Sequence, residues 1–132
     1  MKRKIKSILE FVFLLLILIT PQVSAVKVNF LSYRIEKQEC SSLISSIPEK
    51  YLEGISGINI FEIPKTSICG HYFFFSHKIN LYCGCDINIL IHELAHHKNA
   101  RNLIPYWRSA AHGIEFYQAY DEIRTEYAGR IK

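Results

Sequence analysis

The apolar positions of the chain fall into stretches of different period, and each period predicts a different element. Near the start, Phe11 to Ile19 is an unbroken apolar run, closed by Thr20-Pro21. Within residues 38–53, Leu43, Ile44 and Ile47 recur at helical spacing until Pro48 interrupts them, which predicts a segment that is helical in part. Gly54 and Gly57 punctuate before "INIFEIP", where Ile58, Ile60 and Glu62 alternate with Asn59, Phe61 and Ile63 in the pattern of a strand. Gly70 to Phe75 and Lys78 to Cys83 read as two more strands joined tightly near Ser76-His77, with Ile79, Leu81 and Cys83 on one face. From Ile87 the period changes again. Ile87, Leu90, Ile91, Leu94 and Ala95 recur as on an amphipathic helix, and Asp86 stands at the N-cap position. A last helical pattern runs from Gly113 to Ile131 with Phe116, Ala119, Tyr120, Ile123 and Tyr127 as its stripe. The order of helix, three strands, helix, loop, helix predicts an α+β domain whose three-stranded sheet is mainly antiparallel.

Composition changes this picture mostly at the N-terminus. Lys2, Arg3, Lys4 and Lys6 precede the apolar run and Val23-Ser24-Ala25 follows it, the layout of a secretory signal peptide cleaved after Ala25. The other reading is a membrane tether through residues 8–20, for which the run is short against the roughly 20 apolar residues of a spanning helix. Either way the domain, residues 26–132, is expected outside the cytoplasm, secreted or membrane-anchored. Four of the 16 Lys and Arg and one of the 12 Asp and Glu lie in the first 25 residues, so the net charge of +4 falls to +1 for residues 26–132. The basic excess therefore belongs to targeting, and nucleic acid is not an expected partner. All 4 cysteines, Cys40, Cys69, Cys83 and Cys85, fall within the domain. In an oxidising compartment they predict two disulfides. A hairpin would bring Cys69 opposite Cys83 and leave Cys85 for Cys40, although four cysteines allow three pairings.

The chemistry sits in "ILIHELAHHKN". On a helix His92 and His96 are one turn apart and project from the same side, where they can grip one metal ion. Glu93 is next in angle to His92, placed to work as a general base on a metal-activated water. His97 points elsewhere and is expected at the surface or behind the ligands. Catalytic zinc needs a third protein ligand. Either His112 or one of Glu122 and Glu126 could supply it, but one ion cannot take both, because the 14 residues from His112 to Glu126 span about 21 Å of helix. His112 is favoured because it leads the stripe that must face the first helix. Glu115, one turn on, could accept a ring N–H or fix that turn. Tyr106, Trp107 and Tyr117 are close enough in sequence to line the cleft. The Phe73-Phe74-Phe75 cluster is expected as packing, with a substrate-facing wall as the alternative. Specificity would depend on residues 73–76 and the loop over 98–111.

"HELAHH", then "HGIEF" opening a helix with 15 residues between His96 and His112, resembles the SprT-like and WLM group of zinc metallopeptidases, and "GHYFFFSHKINLY" is similar to the hairpin before the zinc helix there and in the minigluzincins. The resemblance implies a small zincin-like fold, Zn2+ on His92, His96 and His112, Glu93 as general base, and a sheet strand that receives a peptide or protein substrate in extended form. In minigluzincins the third ligand is a glutamate, which keeps Glu122 and Glu126 in play. The expected activity is peptide-bond hydrolysis by an exported endopeptidase. The competing expectation is an exported binding or structural module that keeps the scaffold without turnover.

Overall fold

The computed structural model describes residues 26–32 and 35–131, so the N-terminal run and its expected cleavage site lie outside the described residues. Strand β1 (Val28–Phe30) leads through helices α1 (Lys37–Ser45) and α2 (Glu49–Leu52) to β2 (Gly57–Ile60). The hairpin of β3 (Gly70–Phe73) and β4 (Lys78–Leu81) follows, then α3 (Ile87–Arg101), the short α4 (Tyr106–Ala110) and α5 (Ile114–Arg130). The class is α+β. Among the described residues no helix is long and apolar enough to cross a membrane.

The sheet corrects the expectation of three mainly antiparallel strands. It has four strands in the order β1-β2-β4-β3, and only β3 and β4 pair antiparallel. Two physical reasons account for this. The helical segment α1-α2 is a crossover long enough to return the chain parallel to β1, with Val28 opposite Ile58. The hairpin then docks through β4, not β3, placing Ile58 against Ile79 and leaving β3 at the sheet's edge. Ile58, Ile60, Ile79 and Leu81 point to the core and are at most 1 % exposed. On the opposite face Asn29 donates to Asn59 and Asn59 to Asn80, at 2.8 and 2.9 Å, an amide ladder across the three parallel strands.

Helix α3 lies between α5 on one side and β3 and β4 on the other. It is therefore buried around most of its girth, including Leu90, Ile91, Leu94 and Ala95, rather than along one stripe. Its start is fixed twice. The Asp86 carboxylate accepts from the backbone N–H groups of Asn88 and Ile89, at 2.8 and 3.4 Å, and the preceding Cys85 is bonded to Cys40 of α1. The second disulfide, Cys69–Cys83, clamps the open end of the hairpin just beyond Gly70 and Leu81. Two disulfides fit folding in an oxidising, extracytoplasmic compartment.

Candidate metal centre

Three histidines converge where α3 meets the turn before α5. The ligand atoms of His92, His96 and His112 lie within 4.8 Å of one another. Nε2 of His96 and Nε2 of His112 are 3.3 Å apart, the separation that two nitrogens at about 2.0–2.1 Å from one tetrahedral zinc would have. His92 and His96 come from successive turns of α3, and His112 is delivered by the chain reversal between α4 and α5. That reversal is a Schellman closure: His112 N–H donates to the Ser109 carbonyl and Gly113 N–H to the Arg108 carbonyl, at 3.0 and 3.3 Å. His112 holds the left-handed position (φ 52°) that glycine usually takes there.

Burial disfavours the protonated forms of His92 and His96 and so favours the neutral form that ligates a metal. Phe116 of α5 is buried beneath the three imidazoles, with ring centroids 4.8, 4.7 and 4.4 Å from those of His92, His96 and His112. Burial, and then the neighbouring histidines, push His96 down to about 3, and burial followed by His112 lowers His92. With its Nε2 turned to His112, His96 donates from Nδ1 to Ser109 Oγ at 2.9 Å, which fixes the ring. Buried Asn99, one turn beyond Ala95 on α3, donates to the Glu115 carbonyl and accepts from Phe116 N–H, 3.2 Å each, so α3 is pinned to the start of α5. Glu115 serves that turn through an ion pair with Arg108 rather than through a histidine.

Glu93 is 5 % exposed and faces the same pocket as His92 and His96, a cavity of about 180 Å³. Burial raises its carboxyl to about 7, against the opposing effect of a hydrogen bond from the Tyr72 backbone N–H of β3. Strand and helix approach so closely here that only glycine fits at position 70: a Cβ would lie 2.5 Å from Glu93 Oε1 and 2.6 Å from Ile89 Cγ2.

His97 departs from the expectation of a surface place. It is 1 % exposed, because the face of α3 that carries it is covered by β3 and the α2–β2 connection. Its Nε2–H donates to the Glu53 carbonyl at 2.9 Å, and its Nδ1 accepts from the Tyr72 hydroxyl at 3.2 Å, which in turn accepts from His77 at 2.7 Å. Tyr72 thus holds α3 with both its backbone and its side chain. Glu122 and Glu126 are engaged elsewhere, sharing the Tyr51 hydroxyl at 2.7 and 2.8 Å and pairing with Lys98 and Lys50. They are not among the converging donors. The aromatic cluster divides: Phe74 packs against the core as expected, whereas Phe75 is 97 % and Phe73 38 % exposed at the hairpin turn. Tyr106 lines the pocket, whereas Trp107 and Tyr117 are exposed and are not among its lining residues.

Serine 109 and Asn99 were missed in the pattern of the chain because isolated polar residues carry no periodic signal. Comparison with family models, curated proteins and solved structures returns no match.

Proposed function

We propose that the protein is an exported zinc metallopeptidase of the zincin type, akin to the SprT-like and WLM group, in which His92, His96 and His112 hold zinc and Glu93 is the general base. The observation that carries this reading is the pairing of a converged three-histidine donor set with a carboxylate in the same pocket, kept near neutrality by burial. Three imidazoles suit zinc and leave a fourth position for water or substrate. The chemistry that zinc supplies when bound is Lewis acidity, lowering the pKa of water and polarising the scissile carbonyl. Glu93 would take the proton from the attacking water and pass it to the departing amine, the work of a general base within reach of that water. Tyr72 N–H holds the carboxylate in place, and β3 beside it is an edge strand of the sheet, where an extended peptide would be added. A site that only bound metal would gain nothing from a buried carboxylate at this place.

The test is metal content and peptide cleavage measured side by side. The parent is expected to hold one zinc per chain, His112→Ala to lose it, and Glu93→Gln to keep it while cleavage falls by at least about a hundredfold. Zinc retained in His112→Ala and lost in Glu126→Ala would reassign the third ligand, and a parent without zinc affinity would sink the reading.

A further inference from the structure

Beside the pocket that holds Glu93 lies a second recess, of about 380 Å³. The two share His71, Tyr72, Phe74 and Tyr106, so they are neighbouring halves of one cleft. The Phe74 and Tyr106 rings meet edge to face at the join, 5.6 Å apart. Phe73, Phe75 and Ser76 complete the wall, and no Asp, Glu, Lys or Arg is among its described lining residues. Charge is used freely elsewhere: the cavity between α2 and α3 is lined by Lys50, Lys98, Arg101, Glu53 and Glu122. The recess is different in kind. Its rings are also left in water, Phe75 at 97 % and Tyr106 at 53 % exposure, and clustered exposed aromatics mark a surface that something apolar covers.

We propose that this recess receives a large apolar side chain, aromatic or branched aliphatic, on the residue next to the peptide bond that Glu93 works on. The inference rests on the peptidase reading and gives it a substrate class: peptides or unfolded segments carrying such a residue beside the cut. Three observations carry it. The recess continues from the pocket of Glu93, so its occupant belongs to the same chain as the reacting bond. Its volume lies within the roughly 300–1,000 Å³ of ligand sites, which are mostly apolar and aromatic. A charged side chain would lose part of its hydration against these rings and find no Asp, Glu, Lys or Arg to pair with among the described lining residues.

A peptide library varied at the residues flanking the cut tests this, read by cleavage with the zinc-loaded full chain and by binding, in fluorescence anisotropy, to Glu93→Gln. Leucine, phenylalanine or tyrosine at one flanking position is expected to be cleaved and bound at least about tenfold better than alanine, and aspartate or lysine worse than alanine. Phe75→Ser, at a position outside the core, and Tyr106→Ser should remove most of that preference, and Phe75→Lys should admit acidic side chains. Cleavage with no side-chain preference, unchanged in Phe75→Ser, overturns the recess and leaves the peptidase reading intact. Apolar-selective, Phe75-dependent binding by Glu93→Gln without any cleavage by the parent upholds the recess and overturns the peptidase reading. A concentration-dependent dimer dissolved by Phe75→Ser, with no peptide preference, assigns the recess to a second copy and overturns the proposal.

Discussion

At Glu93 burial raises the carboxyl from 4.5 to about 7, so between those values the folded chain holds a proton that the unfolded chain has released. Stability contributed by this group therefore falls as pH rises through the window. His96 and His92 act in the opposite sense, because their folded forms refuse a proton that the unfolded chain takes up below 6.5, and stability falls as pH drops. The metal-free protein is squeezed from both sides. Glu93→Gln removes the first effect alone. Without metal it is expected to exceed the parent in stability above pH 7 by on the order of 3 kcal/mol, and to match it below pH 4.5. Urea unfolding across that range checks this, and a constant difference would show that the carboxyl is not perturbed. Ser109→Ala tests the ring next to it. Losing the oxygen that orients His96 should weaken zinc binding by about 10–100-fold with little effect on the metal-free fold, measured by chelator competition.

Among the elements, the two disulfides do different work. Cys40–Cys85 joins residues 45 apart and ties α1 to the start of α3, while Cys69–Cys83 joins residues 14 apart within one hairpin. On loop-closure entropy alone their removal costs about 4 and about 3 kcal/mol respectively. Denaturant unfolding of Cys40→Ala/Cys85→Ala and Cys69→Ala/Cys83→Ala should show that order, and the reverse order would mean that native hairpin contacts dominate. The elements readable in the chain were those with a visible period or break: α1 and α2 on either side of the interruption before Pro48, β2, the hairpin, α3 with its Asp86 cap, and α5. Strand β1 escaped because three residues cannot display an alternation, and α4 because five residues hold barely more than one turn. The parallel pairing escaped for another reason. Whether a hairpin docks by its first or second strand depends on which buried face fits β2, a long-range choice that local spacing does not carry. The same limit explains His97, whose burial depends on β3 lying over it, whereas His92, His96 and His112 could be anticipated from helix phase and from a motif.

As a whole molecule, the site belongs to no single element: α3 supplies two histidines and the glutamate, the α4–α5 reversal supplies the third histidine, and β3 holds the carboxylate. Zinc binding should consequently stabilise the entire fold, by about 4 kcal/mol at a thousandfold excess over Kd, with a matching rise in Tm. The two helix reversals on either side of α4 sharpen this. Leu103 and His112 both occupy left-handed backbone at helix ends without being glycine, φ 58° and 52°, at a cost of about 1–2 kcal/mol each. Leu103→Gly should raise Tm with and without zinc, while His112→Gly should raise it only without zinc, as read by calorimetry. A lineage selected for folding alone would gain by drifting to glycine at 112; if His112 holds zinc as proposed, the spot is one where usefulness outweighs durability.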